Sequence, residues 1–462
     1  MTQAVPQSSA LETTWQDRAL AHLWLHSDDL EWPEATRPGG LPVFESGDGA
    51  ILRDVHGKSY IDGMGGLAVV TVGHGRREIA EAMAKQASAL AYTSASTATN
   101  TASIRLAEKL AAITPAGLER VFFCSGGSEA VESAVKIAKQ LQVLRGFPKR
   151  SKVIARRGSY HGTTGGAMAL TASASERYFS PFAPGATKIP SPNHYRPNFS
   201  DDPVQEDLAC ARALEQEILA QGPETVAAFI AEPISLSNGT HIPTKQYWTT
   251  IREICDRHGV LLIMDEVITG FGRTGTMFAA DQYVVPDLMT MAKGLSSGYV
   301  PVAAVVASPE VFEPFTHKGN ALNHLLTFGG QAVAAAAALA NIEIIEREQL
   351  VARSAENGAY LKGRLEQIAA NHETIGDVRG VGLMIGVEFV KNRESRASWG
   401  SGSGFIQRLL ELTRDLGLVT RIWDVMHLAP PLVIERDEID RLVDIVDEAL
   451  TKCESEFAEE IG

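Results

Sequence analysis

Short, uninterrupted runs of apolar residues recur through the middle of this chain and constrain its fold more than any other feature. Segments with helical character separate the runs. Continuous apolar strands are expected where helices cover both faces of a parallel sheet. The alternation therefore predicts an α/β domain over residues 70–340, with strands at Val121–Cys124, Val153–Ala155, Ala227–Ala231, Val260–Met264, Leu288–Ala292 and Val302–Ala307.

The two ends of the chain have a different pattern. Residues 1–69 begin with an amphipathic stretch, Thr14 to His26, and continue into polar turns. Residues 341–462 carry long polar helices and a glycine-rich, hairpin-like strand, Gly380–Phe389. We predict that the segment 1–69 joins 341–462 in a smaller α+β domain built from both chain ends. A chain of 462 residues agrees with two or three structural units.

Charge and cysteine usage exclude several classes of function. The net charge of −14 and the lack of a dense Lys/Arg stripe argue against a nucleic-acid partner. The four cysteines form no C-x-x-C pair and there is no H-E-x-x-H, so we predict no metal site. No signal peptide and no stretch of ~20 apolar residues is visible, which predicts a cytoplasmic protein without a membrane partner.

Two of the predicted strands end in chemically useful side chains. Leu261–Met264 is followed by Asp265, and Leu288–Ala292 is followed by Lys293. Ligands of open α/β folds bind at the carboxyl ends of strands, and lysines are rarely buried unless paired or chemically employed. Taken singly, Asp265 could cap a turn and Lys293 could be a surface lysine.

Together, the acid and the lysine suit pyridoxal phosphate. That cofactor needs a carboxylate beside its pyridine nitrogen, an amine for a Schiff base and a pocket for its phosphate. The string Ser125-Gly-Gly-Ser-Glu-Ala follows the strand Val121–Cys124 and leads into a predicted helix, Glu129–Leu141. A glycine-rich helix start can bind phosphate through free N–H groups, although the glutamates of its first turn would also suit a plain helix N-terminus.

A second glycine-rich string offers a competing interpretation. Gly270-Phe-Gly-Arg-Thr-Gly matches the G-x-G-x-x-G pattern of dinucleotide-binding sites and follows a strand. The residues after it are too short and broken to form the packing helix of such a unit. An NAD-dependent dehydrogenase is therefore disfavoured.

These residues resemble those of a known family. From Asp62 to Pro431, six motifs fall in the order seen in class III aminotransferases of pyridoxal-phosphate fold type I. The resemblance implies a large domain with a mainly parallel sheet flanked by helices, and a smaller α+β domain. The motifs are Gly127-Ser-Glu-Ala, Ser159-Tyr-His-Gly, Ala231-Glu-Pro, Asp265-Glu-Val-Ile-Thr-Gly-Phe-Gly-Arg-Thr-Gly, Ala292-Lys-Gly and Thr327-Phe-Gly-Gly.

The resemblance also implies a role for each matching position. Lys293 would be the Schiff-base lysine and would carry the proton between the substrate carbon and the cofactor. Asp265 would pair with the pyridine nitrogen. The other cofactor contacts would be Val267 and Tyr160 on the two faces of the ring, Gly127 and Ser128 at the phosphate, the partner's Thr327 at the phosphate, and Glu232 in the supporting hydrogen-bond network. A homodimer with active sites at the subunit interface is implied, and Gly126 replaces a frequent serine of the phosphate loop.

Other positions bear on the substrate. Ile268 stands where relatives acting on ornithine or 4-aminobutyrate usually have Gln, which resembles the ω-amino acid or amine:pyruvate branch. Arg421 matches a mobile arginine that binds a carboxylate, and a guanidinium fork suits a keto acid. It could equally be a surface arginine in a salt bridge, and Trp423 replaces a usual glycine in the same loop.

The segment Gly65–Ala68 points to a roomy substrate entrance. Related amine transaminases often carry Trp after the Leu that corresponds to Leu67, where this chain has Ala68. The string His26-Ser-Asp also replaces a common His-Pro-aromatic string. We predict that Leu67, Ala68, Tyr160 and Arg421 contact the substrate and that long or bulky amines are accepted. Ala68 could also serve packing alone.

The sequence thus predicts a ping-pong aminotransferase that moves an amino group from an ω-amino acid or primary amine to a keto acid, with pyruvate the expected acceptor. The alternatives are an aminomutase, racemase or decarboxylase on the same fold, or a pyridoxal-phosphate-binding protein without activity. A requirement for added keto acid separates the first group from an aminotransferase.

Overall fold

The computed structural model describes residues 14–26, 42–171 and 176–462, without the side chains of residues 176 and 177. The N-terminal residues that bear on the predicted absence of a signal peptide lie outside these ranges, as does part of the His26-Ser-Asp string. Within them, the strands are β1 Phe44–Asp48, β2 Ile51–Asp54, β3 Ser59–Asp62, β4 Arg120–Cys124, β5 Lys152–Arg156, β6 Ala186–Ile189, β7 Val226–Ala231, β8 Leu261–Asp265, β9 Leu288–Met291, β10 Ala303–Ala307, β11 Ile375–Gly380, β12 Ile385–Asn392, β13 Ala397–Ser398, β14 Leu418–Val419, β15 Arg421–Ile422 and β16 Val425–Leu428.

Helices alternate with these strands through most of the described chain. Short 3-10 turns add to them, including one at Ala279–Gln282 and one at Lys293–Leu295. The α-helices are α1 Trp15–His22, α2 Gly65–Ala68, α3 Arg77–Ala89, α4 Thr101–Ile113, α5 Gly127–Leu144, α6 Gly165–Leu170, α7 Glu176–Phe179, α8 Pro203–Gln221, α9 Lys245–His258, α10 Pro309–Phe312, α11 Ala332–Arg347, α12 Leu350–Ala369, α13 Gly404–Asp415 and α14 Arg436–Glu456.

The central sheet has seven strands in the order β4-β10-β9-β8-β7-β5-β6. Strand β10 is antiparallel to both of its neighbours, and the other pairs are parallel. All six apolar runs lie in strands of this sheet, so that part of the prediction is confirmed. The sequence did not indicate β6, because Thr187 and Lys188 interrupt its apolar pattern; the strand lies at the sheet edge, where fewer residues need burial.

Helices cover both faces of this sheet, which explains why its inner strands are continuously apolar. Every residue of β7 is buried. Residues of α5 and α6 pack on one face, and residues of α8 and α9 pack on the other. The predicted α/β class with a mainly parallel sheet is confirmed.

Two further sheets come from the chain ends. Strand β14 pairs in parallel with β3, with Leu418 opposite Ile61, so the two ends of the chain share one sheet. The other contains β11, β12, β16 and β15, with β13 beside β12. The glycine-rich segment Gly380–Phe389 is a hairpin whose turn separates β11 from β12. The predicted domain limits at residues 69/70 and 340/341 stay predictions.

The segment Gly270–Gly275 joins the central sheet to these peripheral sheets. It forms consecutive turns rather than the start of a helix. The Arg273 side chain is fully buried and donates hydrogen bonds to the Leu383 carbonyl at 2.9 Å and the Pro430 carbonyl at 2.5 Å. The glycine-rich string therefore has a structural role in the described chain.

No helix in the described ranges combines the length and the apolar character needed to cross a membrane. The predicted amphipathic stretch at Thr14–His26 contains α1, which begins at the N-cap Thr14 and buries none of its side chains in the isolated chain.

Candidate active site

The predicted site residues meet at one edge of the central sheet. Strands β4, β5, β7, β8 and β9 run in the same direction, so their carboxyl ends lie side by side. Asp265 ends β8, and Glu232 follows β7 directly. Lys293 follows β9 after one intervening residue, and Gly127 begins α5 shortly after β4.

These side chains surround a cavity of about 190 Å³. Eight of the predicted positions line it, counting Ile268, so the structure brings together residues that lie far apart in the sequence. The lining residues are Gly127, Ser128, Tyr160, His161, Gly162, Glu232, Asp265, Val267, Ile268, Ala292 and Lys293.

Asp265 is held in place by three hydrogen bonds. His161 Nδ1 lies 2.7 Å from Asp265 Oδ2, and Thr290 Oγ1 donates to Asp265 Oδ1 at 2.9 Å. The Val267 amide donates to Oδ1 at 3.2 Å. These bonds fix the orientation of a buried carboxylate that lines the cavity.

A chain of alternating charges continues behind Asp265. His161 Nε2 lies 3.9 Å from Glu232 Oε2, and Arg156 Nη2 lies 3.1 Å from the same oxygen. Burial by itself would raise the pKa of Glu232, but the charges of His161 and Arg156 lower it to about 2. Burial opposes protonation of His161, yet Glu232 and Asp265 together raise its pKa. His161 therefore lies between two carboxylates that favour its protonated form.

Lys293 lines the same cavity. Its backbone is left-handed, with a φ of 41°, a conformation that is uncommon for residues other than glycine. Burial lowers the pKa of its ammonium to about 8; the Asp265 charge opposes this shift and the Arg421 charge adds to it. An amine with such a pKa is partly neutral near pH 7, as a nucleophile or a base requires.

The N-terminus of α5 forms another wall. Gly126, its N-cap, provides no side-chain hydrogen bond, so N–H groups of the first turn stay available. A Cβ at Gly127 would lie 3.2 Å from Val267 Cγ1, and a Cβ at Gly162 would lie 2.3 Å from Ser128 Oγ. Glycine at these two positions lets Val267 and the loop at Gly162 pack closely against the first turn of α5.

This donor set fits pyridoxal phosphate. It offers a fixed carboxylate for the pyridine nitrogen, an amine of lowered pKa for the aldehyde, and a helix N-terminus with Ser128 for the phosphate. Val267 and the exposed ring of Tyr160 both line the cavity and are available to its two faces. No group of three or more potential metal ligands occurs within the described residues.

Four predicted residues lie outside this cavity. Thr327 is exposed, and its carbonyl accepts a hydrogen bond from Tyr92 Oη at 3.0 Å. The Arg421 guanidinium stacks over the Trp423 ring at 4.0 Å and makes no ion pair with any described residue, although its charge influences Lys293. Leu67 is exposed. Ala68, with a φ of 55°, is buried in a cluster with Met64, Ile234, Leu236, Met384 and Ala429, against which Ile268 packs.

Sequence reasoning missed several residues that organise the site. His161 lies within the motif Ser159-Tyr-His-Gly, and its place directly after Tyr160 was the available signal. Thr290 and Arg156 gave no signal, because their partners lie 25 and 76 residues away along the chain. Glu266, the second acid of the Asp-Glu pair, points elsewhere and accepts hydrogen bonds from Thr269 and the Ala280 amide.

Known proteins share this architecture over nearly the whole chain. Residues 37–450 match the family described as aminotransferase class-III. A probable aminotransferase of Mycobacterium tuberculosis is 39% identical over 97% of this chain and 96% of its own length. A taurine–pyruvate aminotransferase of Bilophila wadsworthia is 37% identical over 90% and 93%. The crystal structure of the omega transaminase from Pseudomonas jessenii in complex with PMP has a TM-score of 0.92 and 33% identity, covering 96% and 99%.

Proposed function

This chain belongs to the class III aminotransferases, which depend on pyridoxal phosphate, and from that premise we propose that it transfers an amino group from an ω-amino acid or a primary amine to pyruvate. The observation that carries the proposal is that the half-buried Lys293 and the fixed carboxylate of Asp265 line one cavity. The roles given below to the cofactor-binding and substrate-binding residues are part of the same proposal.

Different residues of the chain bind the cofactor, orient it and transfer the proton. Pyridoxal phosphate, when bound, supplies an electron sink beside the reacting carbon. Asp265 holds a negative charge at the pyridine nitrogen, and His161 and Thr290 keep its oxygens oriented. Lys293 Nζ would take the proton from the amine-bearing carbon of the donor and deliver it to the cofactor carbon in the first half-reaction, and would move a proton in the opposite direction in the second. Ser128 and the amides of α5 bind the phosphate.

The choice of an ω-amino donor and pyruvate rests on two observations. The first is that Ile268 lines the cavity at the position where relatives acting on ornithine or 4-aminobutyrate usually have Gln, so the side-chain amide of that Gln is replaced by an apolar group. The second is that a relative of similar length is a taurine–pyruvate aminotransferase. Arg421 lies close enough to affect Lys293 and has no carboxylate partner in the described chain. We assign it to the carboxylate of the keto acid, and we place the substrate entrance beside Leu67, Ala68 and Tyr160.

The assembly and location belong to the proposal as well. Thr327 lies on the surface and outside the cavity of its own chain. We propose that the partner's Thr327 completes the phosphate site in a homodimer, and that the enzyme acts in the cytoplasm. Long or bulky primary amines are included among the donors.

Half-reactions measured separately test this proposal. The first is followed from the visible absorbance of the bound cofactor on adding amines of graded size, and the second from its return on adding pyruvate or 2-oxoglutarate. We expect pyruvate to be the better acceptor and turnover to require it. In Arg421→Ala, recovery with pyruvate should slow by about 10- to 100-fold, the value of losing a charge-assisted contact, while a donor without a carboxylate reacts at the wild-type rate.

Two results would contradict the proposal. Sustained turnover of an amine without any keto acid would indicate an aminomutase, racemase or decarboxylase instead. Equal slowing of both half-reactions in Arg421→Ala would show that Arg421 does not recognise the acceptor carboxylate.

A further inference from the structure

The four-residue helix α2, Gly65–Ala68, has an uncommon backbone conformation. Gly66 has a φ of 66°, and Ala68 has a φ of 55°, in a region that residues other than glycine rarely adopt. Ala68 is buried in the cluster against which Ile268 packs, and Ile268 lines the cofactor cavity. A change in the shape of α2 would therefore reach the wall of that cavity.

The chain on both sides of α2 is anchored by other contacts. Before α2, the Gly63 amide donates a hydrogen bond to the Val419 carbonyl at 2.8 Å. After it, the Thr71 amide donates to Ser297 Oγ, in the turn that follows Lys293, at 3.2 Å. The tip of α2, residues 66–67, is exposed to solvent. Its conformation therefore depends on what holds it from the inside.

The Asp62 carboxylate holds this tip. Asp62 ends β3 and is 1% exposed. The Gly66 amide donates to Asp62 Oδ1 at 3.0 Å and to Oδ2 at 3.1 Å, and His74 Nε2 lies 2.9 Å from Oδ2. A buried carboxylate is costly unless it is hydrogen-bonded. These contacts therefore keep the carboxylate and the Gly66 amide in one arrangement.

The Asp62 charge also acts on a buried arginine. Burial lowers the pKa of the Arg273 guanidinium to about 10, and the Asp62 charge opposes this shift. The substitution Asp62→Asn keeps an acceptor oxygen for the Gly66 amide and removes the charge. It therefore separates the hydrogen bond from the effect on Arg273.

We propose that Asp62 is a positioning residue for the donor amine. Its hydrogen bonds with the Gly66 amide keep α2 in the conformation that packs Ala68 beside Ile268. This inference rests on the proposed substrate entrance and names the residue that maintains its shape. When only a fraction of the molecules has the competent conformation, the apparent affinity for a ligand falls by that fraction. Loss of the bonds should therefore weaken amine binding and leave the rate at saturating amine nearly unchanged.

Hydrogen–deuterium exchange of the holoenzyme tests the hydrogen bonds without any substrate. In Asp62→Ala, peptides covering residues 63–69 should exchange about tenfold faster than in the wild type, because the Gly66 amide loses its acceptor. Peptides of the central sheet should exchange as in the wild type. Unchanged exchange of residues 63–69 in Asp62→Ala would overturn the proposal.

The first half-reaction measures the effect on the amine. The rate of the absorbance change of the bound cofactor is followed against the concentration of a primary amine. In Asp62→Ala the half-saturating concentration should rise about tenfold or more, the effect of losing a hydrogen bond to a charged group, while the maximal rate stays within about threefold of the wild type. Asp62→Asn should stay within about threefold in both quantities. An unchanged half-saturating concentration in Asp62→Ala, or an equal rise in Asp62→Asn, would overturn the proposal.

Asp54→Ala provides the control for damage to the fold. Asp54 is also buried, ends the neighbouring strand β2, and accepts hydrogen bonds from the His56 and Lys58 amides at 3.0 and 2.9 Å. This variant should bind the amine as the wild type does. Amine binding weakened equally in Asp54→Ala and Asp62→Ala would show a general effect and overturn the proposal. A wild-type enzyme that reacts with no amine would instead contradict the proposed function, and the exchange experiment would still test Asp62.

Discussion

The backbone of Lys293 has to be held in an uncommon conformation, and Asn341 is the residue placed to do so. Asn341 lies fully buried on α11. Its Nδ2 donates to the Gly294 carbonyl at 2.8 Å and the Leu295 carbonyl at 3.0 Å, and its Oδ1 accepts from Ser297 Oγ at 2.5 Å. The turn that follows Lys293 is thus fixed from a helix 47 residues away.

Replacing Asn341 should therefore slow the chemistry more than it weakens binding. In Asn341→Leu we expect kcat to fall by roughly 10- to 100-fold, because a displacement of ~1 Å at a reacting group costs about that much. Steady-state kinetics with saturating pyruvate would measure the change, with KM for the amine changing less.

Asn357→Leu provides the control for that experiment. Asn357 is also buried, and its Nδ2 donates to the Ile434 carbonyl at 2.8 Å, away from Lys293. It should lower the free energy of unfolding comparably and leave kcat near wild type. If the two variants lose kcat equally, Asn341 has no special role in positioning Lys293.

At this scale the sequence predicted some residues better than others. Asp265 and Lys293 could be found because each follows an apolar strand directly. His161 and Asn341 could not be assigned, because their function depends on contacts with residues 104 and 47 positions away. Such contacts follow from tertiary packing and leave no local pattern.

Among the structural elements, α14 is attached to the segment after α12 by a buried histidine. His372 Nδ1 lies 2.8 Å from Glu454 Oε2, and Nε2 lies 2.8 Å from Asp447 Oδ1. Both nitrogens can donate only in the imidazolium form. Burial opposes the charge, but the two carboxylates outweigh it and raise the pKa of His372.

This arrangement predicts a pH-dependent stability. A pKa raised on folding stabilises the folded state fully below the unfolded value of ~6.5, and that contribution is lost as the pH rises through the folded pKa. We expect His372→Gln to lower the free energy of unfolding by about 1–2 kcal/mol near pH 6 and by less near pH 9. Urea denaturation of both proteins at each pH measures the difference. A constant difference would show that His372 is not charged in the folded state.

The elements themselves were largely predictable, with physical reasons for the exceptions. Strands buried on both faces carry a continuous apolar signal, as in β7 and β8. The edge strand β6 needs less burial, and its sequence therefore carries no continuous apolar pattern. Helix α5 begins two residues before the predicted start at Glu129, because its glycine-rich first turn has low intrinsic helix propensity.

For the whole molecule, the proposed dimer makes a prediction about mixed subunits. We expect Lys293→Ala and Thr327→Arg each to be inactive as homodimers, the second because a large side chain would occupy the phosphate site. A heterodimer of the two has one site with Lys293 and the partner's unaltered Thr327. Activity should therefore return when the two variants are refolded or expressed together.

A failure of the mixed dimer to regain activity would contradict the shared site. If Thr327 acted within its own chain, neither site of the mixed dimer would be intact and no activity would return. Size-exclusion chromatography of each variant provides the control that assembly is retained.

The overall class was within reach of the sequence and the family resemblance, whereas the sharing of one sheet by β3 and β14 was not predicted. The strand order was not, because it depends on crossovers such as the insertion of β10 between β4 and β9. The place of Arg421 over Trp423 also depends on a loop in which this chain departs from the family pattern.

The most direct test of the account is a comparison of Lys293→Ala with Lys109→Ala, a variant of a lysine that pairs with Glu346 away from the cofactor cavity. Amino transfer from a reactive amine to pyruvate is measured for both after loading with pyridoxal phosphate. We predict that Lys293→Ala loses turnover by about 10,000-fold or more, as removal of an essential catalytic group does, while Lys109→Ala matches wild type. Turnover of Lys293→Ala within about tenfold of wild type would contradict the assignment of Lys293 as the catalytic lysine.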